Sequence, residues 1–242
     1  MDPPSDPAAE AVFRPVPSGN ALEATVDRLL CAIRLGVVPA GTRFPAERDL
    51  ATRLNISRVT LREALRHLQD RGYAESRRGR SGGTFVSDVP PVPTPDQALR
   101  GLTATGSRLD DLLTHRRGLE TGVVVRLAET GLTAAQDRLL AARLADADRA
   151  GQDAYRRFDT VLHVTLARLT GSGELANALT DVRLRVNGLM DTAPPSEEGM
   201  ALSNAQHHAI VGAVRSRDPE AARLALGAHL AAVEAELRVR FG

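Results

Sequence analysis

Four side chains in the second half of the chain have the types and spacing to hold a metal ion. In Asp159-Thr-Val-Leu-His163 the carboxylate and the imidazole are four residues apart, one helical turn, so they share a face that Leu166 continues. His207 lies three and four residues before Ile210 and Val211, and His229 stands between Leu226 and Val233 at spacings of three and four, so both imidazoles sit on inward, apolar faces. His208 is offset to the side. Each of these alone fits a hydrogen-bonded core residue. Together they direct one carboxylate and three imidazoles from three helices toward one interior. Each unpaired polar group there would carry a burial penalty of roughly a few kcal/mol, which a divalent transition metal would offset. The donor set suits zinc first, with nickel and manganese as further candidates, and leaves room for water or a ligand oxygen.

A second constellation lies in the first half. Ser57 can accept a hydrogen bond from first-turn amides and so open a helix at Arg58, along which Leu61, Ala64, Leu65 and Leu68 form a buried stripe. Arg58, Arg62 and Arg66 follow one another at intervals of four, with Thr60 nearby, and project guanidinium forks and a hydroxyl away from that stripe. Such forks suit guanine edges and phosphates. Beyond the Arg71-Gly72 stop, Tyr73–Arg77 and Thr84–Val86 are short strands joined by Arg78-Gly79-Arg80-Ser81-Gly82-Gly83, a tip that can approach a phosphate backbone or minor groove closely.

The elements that must position these groups follow from periodicity. Ala46 to Leu54 is a short first helix that needs the second for support, and the pair with its hairpin is a winged helix-turn-helix. From Arg108 onward, helical patterning dominates, with helices near 108–129, 133–149, 152–170, 173–190, 198–216 and 219–240, an all-α bundle. The fold class is thus mainly α: a winged helix-turn-helix over 21–87 and a bundle of about six helices over 107–242. Between them, 88–106 opens with Asp-Val-Pro-Pro-Val-Pro-Thr-Pro and is expected to be an extended linker. The Pro-rich first twenty residues are expected to form a disordered arm.

Charge agrees with this division. Between Arg43 and Arg80 ten arginines face five acidic residues, while the whole chain is only +1, so a basic module is joined to an acidic one. Aromatic residues make up 3%, which argues against single-strand binding by base stacking; the winged layout points to duplex DNA as the partner. The single cysteine, Cys31, excludes an internal disulfide and is read as a packed thiol. Neither a signal peptide nor a membrane-length apolar run is visible, which points to the cytoplasm and away from membranes.

Residues 22–87 resemble the DNA-binding domain of the GntR family of bacterial transcription regulators, carried by FPAERDLA (44–51), ISRVTLREALRHLQDRG (56–72) and SGGTFV (81–86). The resemblance implies DNA contacts from Arg48, Arg58, Arg62 and the wing tip. Residues 108–240 resemble the FCD ligand-binding domain of the FadR-type branch, in its shorter VanR-like form. The motifs are HRRGLETG (115–122), DTVLH (159–163), QHHAIVGAVRSRDPEAAR (206–223) and AHL (228–230). This second resemblance implies Asp159, His163, His207 and His229 as metal ligands. Arg116 and Glu120 stand at the family's Arg-x-x-Leu-Glu positions as candidates for the effector pocket edge, with a surface ion pair as the equal alternative.

The expectation is a homodimeric, ligand-responsive repressor. It would read a short pseudo-palindromic operator and be released by a small organic acid bound at the buried metal. Two other readings stay open at this stage. One is a metal sensor; the other is a metal-dependent hydrolase, although no further acid or base is evidently placed for it.

Overall fold

The computed structural model describes residues 7–16, 20–79, 82–104, 106 and 108–241. They fall into two units, 1–92 and 93–242. The first unit contains α1 (Pro7–Val12), α2 (Ala21–Arg34), α3 (Glu47–Leu54), α4 (Arg58–Asp70), β1 (Ala74–Arg77) and β2 (Gly83–Val86). Ser57 caps α4 as its position requires, its hydroxyl accepting the Thr60 amide at 3.0 Å. The tight turn before it rests on Asn55, held in the left-handed region at φ 53°, a conformation asparagine tolerates better than most residues. Leu50, Leu54, Leu61, Leu65 and Leu68 are buried and lock α3 and α4 together. Strands β1 and β2 pair antiparallel, Ala74 opposite Val86 and Arg77 opposite Gly83, and Arg43 bridges to Phe85 on the other edge of β2. Gly82 is required in the turn between β1 and β2, since a Cβ there would lie 2.5 Å from the Arg77 carbonyl oxygen.

The expected disordered arm is corrected in part. Residues 7–12 are helical, Ala8, Val12 and Phe13 are buried, and the Val16 amide donates to the Leu54 carbonyl at 3.0 Å. The spacing Ala8, Val12, Phe13 supplies one apolar face, and burying it against the winged unit offsets the cost of ordering a Pro-flanked segment.

The second unit is helical throughout, with α5 (Pro95–Ala104), α6 (Leu109–Thr130), α7 (Ala134–Asp148), α8 (Gln152–Leu169), α9 (Gly173–Met190), α10 (Glu197–Arg215) and α11 (Pro219–Phe241). Six of these occupy the span expected for the bundle. The seventh, α5, corrects the expected linker. Pro95 serves at the first helical position, where its missing N–H costs nothing, and the Thr94 hydroxyl and Gln97 side chain cap reciprocally. Leu102 of α5 is buried against the bundle core. Thr133 and Gln136 form the same reciprocal cap on α7, and Ser172 and Ser196 cap α9 and α10. Helix α6 packs against α8, α9, α10 and α11, so its inward face sees the inward faces of the three helices that carry the carboxylate and imidazoles.

Candidate metal centre and nucleic-acid interface

Asp159 and His163 on α8, His207 on α10 and His229 on α11 converge. One ligand atom from each lies within 4.8 Å of the others. His207 Nε2 stands 3.2 Å from His163 Nε2 and 3.2 Å from Asp159 Oδ1, and the three imidazole centroids are 4.8 to 5.1 Å apart. The histidines are fully buried, while Asp159 keeps 15% of its side chain exposed. All four sequence-derived candidates therefore meet at one point.

The surrounding residues decide which nitrogen each ring presents. Glu120 Oε2 lies 2.6 Å from His163 Nδ1, and Gln206 Oε1 lies 3.1 Å from His229 Nδ1. Both acceptors favour a proton on Nδ1, which leaves the Nε2 lone pairs of His163 and His229 directed elsewhere. His229 Nε2 is buried without a hydrogen-bond partner. An orphaned imidazole nitrogen beside two others and a carboxylate is the arrangement a divalent cation satisfies, so these residues fit the ion that the sequence implied.

Arg183 on α9, which sequence reasoning passed over, ties the centre together. Its guanidinium hydrogen-bonds Asp159 Oδ2 and reaches Glu120 Oε1 at 3.1 Å, while Arg116 Nε donates to the same Glu120 oxygen at 2.7 Å. Arg116 and Glu120 are 3% and 2% exposed, so the surface ion-pair alternative is overturned: theirs is a buried network. Glu120 stands behind His163, whereas Arg116 lines a cavity of about 310 Å³ whose wall also includes Asp159, Arg183 and His229. Arg116 leaves Nη1 buried and unpartnered. Tyr155 and Asn187 add polar groups to this cavity, and Val186, Met190, Met200 and Val233 add apolar ones.

The charges follow from this geometry. Burial alone would raise both carboxyls, but His163, Arg116 and Arg183 hold Glu120, and Arg183 with His207 and His163 hold Asp159, well below the usual carboxylate range. Burial, reinforced by Arg183, lowers His163 from 6.5 to about 4, and burial with the two neighbouring imidazoles lowers His229 well below its ordinary value. Both rings are thus neutral at pH 7, the form that binds metals.

All four groups hold protons less tightly folded than unfolded. The stability they confer on metal-free protein is present above about pH 6.5 and is lost as pH falls, first through the histidines and then through the carboxylates. His163 alone accounts for about 3 kcal/mol between pH 7 and pH 4. The urea midpoint of chelator-treated protein is therefore expected to drop steadily below pH 6.5. A flat midpoint from pH 7.5 to 5 would contradict burial of neutral imidazoles.

In the winged unit, Arg58, Arg66, Arg78 and Gly79 are exposed, as a DNA-facing surface requires. Arg48 is exposed too, with Nε 3.4 Å from Asp49. Ser57 and Thr60 are engaged with each other, their hydroxyl oxygens 2.8 Å apart. Arg62 Nε donates to Glu47 Oε2 at 2.8 Å, so Glu47, which the sequence reading did not single out, holds one end of a guanidinium whose side chain stays 61% exposed. Gly82 is half-buried in the tight wing turn, and Arg80 lies outside the described residues. Arg77 stacks over Phe85 at 4.4 Å, which stiffens the wing.

Comparison with known proteins gives two family matches. Residues 22–86 match the family described as bacterial regulatory proteins, gntR family, and residues 111–232 match the FCD domain. A Mycobacterium gastri protein named as the HTH-type transcriptional regulator RmpR is 31% identical over 225 residues, covering 90% of this chain and 80% of its own. The HTH-type transcriptional repressor NanR of Citrobacter rodentium is 29% identical over 238 residues, covering 92% and 87%. Among solved structures, Escherichia coli McbR/YncC superposes with a TM-score of 0.53 at 20% identity over 91% of this chain and 99% of that one, a likeness of fold.

Proposed function

The chain belongs to the GntR family of bacterial transcription regulators, in the branch that carries an FCD domain, and from that premise we propose that it is a homodimeric repressor released by a small carboxylate metabolite. It is a DNA-binding regulator and not an enzyme, as its relatives are, which sets the hydrolase reading aside. The observation that carries the rest is the convergence of Asp159, His163, His207 and His229 beside a cavity whose wall includes two of them, Asp159 and His229, together with Arg116.

Those four residues would hold a divalent cation, with zinc, nickel and manganese as the candidates. Bound there, the ion would supply a positive anchor for a carboxylate oxygen. The protein's own groups do the remainder. Arg116 offers an N–H to the ligand's second oxygen. Glu120 and Gln206 keep His163 and His229 in one orientation. Val186, Met190 and Val233 exclude water from the ligand's carbon skeleton. Ligand binding would alter DNA affinity only by the difference in its affinity for the two arrangements of the dimer, typically about 1–3 kcal/mol.

Elemental analysis of the purified protein, followed by thermal-shift screening of carboxylates with and without a chelator, tests this reading. A transition metal at about one equivalent, and a stabilising carboxylate whose effect vanishes with chelation, are the expected results. Metal-free protein that gains nothing from added zinc, nickel or manganese would overturn it. Reversible changes in DNA binding on metal titration alone would favour the metal-sensor alternative.

The DNA half is testable separately. Arg58→Ala removes an exposed guanidinium at the start of α4 and is expected to weaken operator binding about tenfold or more, within the roughly 1–3 kcal/mol range of a bidentate base contact. Metal- and ligand-induced thermal shifts should be unchanged. Loss of both together would indicate misfolding instead.

A further inference from the structure

Val59 is the exposed large hydrophobic residue on α4, with 75% of its surface open. The basic face read from the sequence did not include it. At about 100° of rotation per residue, Val59 lies diametrically opposite the centre of the buried stripe formed by Leu61, Ala64, Leu65 and Leu68. Arg62 and Arg66 flank it on one side of that outward face, and Arg58 precedes it. Nothing in the winged unit covers it among the described residues, although burying a valine would be favourable by about 1.5–3 kcal/mol.

The residues around Val59 restrict what it can meet. Ser57 and Thr60, the other small side chains of this turn, are hydrogen-bonded to each other and Ser57 also to the Thr60 amide, which leaves one of the two hydroxyl hydrogens for a polar partner. Arg62 is held from behind by Glu47, which fixes its outward reach. The first turn of α4 therefore presents an apolar branched side chain with guanidinium groups along one side and Glu63, one turn on, at the other. In the major groove the one strongly apolar feature is the C5 methyl group of thymine, and a methyl-sized apolar side chain is its matching reader.

We propose that Val59 is a specificity-determining residue that packs against a thymine methyl in the operator, beside the guanines read by the neighbouring arginines. This rests on the chain's reading of duplex DNA through α4. A valine contributes no hydrogen bond and no phosphate contact, so its effect should be confined to one base position and independent of salt.

The test uses the full-length protein and a duplex recovered from random-sequence DNA at elevated salt. Each thymine in that duplex is then replaced singly by deoxyuridine, which keeps every hydrogen bond and lacks only the methyl. Wild-type protein is expected to lose about fourfold in affinity at one thymine, or at that thymine and its symmetry mate, the equivalent of about 0.8 kcal/mol for one buried methyl-sized group. Val59→Ala should bind the parent duplex less tightly by a similar factor and should be indifferent to uracil at that position. Val59→Thr, which keeps one methyl branch, should retain part of the discrimination. Thermal midpoints of both variants serve as the folding control, since so exposed a side chain holds little of the fold.

Wild-type binding that ignores every thymine-to-uracil change would overturn the assignment, as would undiminished discrimination in Val59→Ala. Recovery of no preferred sequence at all would also overturn it, and would count against base reading by α4 as a whole.

Discussion

Replacing Arg183 with methionine is expected to cost the metal-free protein about 3–5 kcal/mol, the range for removing one partner of a buried ionic network. The guanidinium is 3% exposed and contacts both Asp159 and Glu120. Without it, two ionised carboxylates face a set of neutral imidazoles, and only Arg116 remains to balance Glu120. A methionine of similar length fills the space but supplies no charge.

The same substitution should change the shape of the pH profile. Arg183 is one of the groups that keeps the His163 proton off, whereas Glu120 and Asp159 favour protonation. Removing Arg183 lets His163 protonate at a higher pH and take over part of the lost charge. The destabilisation should therefore be smaller at pH 5.5 than at pH 7.5, measured as the shift in urea midpoint between variant and wild type. Asp159→Asn added to Arg183→Met should recover part of the loss, because it removes one of the two stranded carboxylates. A loss that is equal at both pH values, and strictly additive in the double variant, would mean that Arg183 acts through packing alone.

The second large effect is expected at the imidazoles. With free metal at roughly a thousand times the dissociation constant, a bound ion stabilises the native state by about 4 kcal/mol. The double substitution His163→Ala and His229→Ala removes two of four ligands and should abolish that gain along with any carboxylate-induced shift. Operator binding by metal-free protein should persist, because α4 and the wing belong to the other unit. Glu120→Gln leaves the four ligands in place but weakens the hold on His163 and the buried pairs with Arg116 and Arg183, so it should weaken metal binding by roughly 10–100-fold without eliminating it and also lower the stability of the metal-free protein. Unchanged metal stabilisation in the double alanine variant would refute the site.

How much of this was legible in the sequence depends on the distance over which each residue acts. The winged helix-turn-helix was readable because its signals are local: a capping serine, a leucine stripe and a glycine-rich turn. The quartet was readable because each member sits on an apolar helical face, a pattern that betrays inward direction without naming the partner. Glu120 was ambiguous for the converse reason. An arginine four residues before a glutamate looks the same on a surface helix as in a core, and the contacts that distinguish the two, with His163 and Arg183, come from α8 and α9. Arg183 left a signal that went unused, since it shares a face with Leu179, Val186 and Met190, all buried. The helices α1 and α5 were hidden by proline content, which suggests extended chain. Proline at a first helical position is tolerated, and each helix gained its stability from tertiary burial that a local reading does not sum.

The buried network also bears on how the protein would fare when the proposed site holds no ion. Asp159 and Glu120 are matched by Arg116 and Arg183, and two of the imidazoles are held neutral, so the empty centre is close to electrically self-balanced. A site built on carboxylates or thiolates alone would repel itself when vacated and would tie folding to metal supply. Here the fold is expected to survive demetallation at neutral pH, making uptake and release a reversible exchange on an intact scaffold. Under metal scarcity such a chain would persist as a reservoir of folded repressor that a returning ion could recharge without new synthesis.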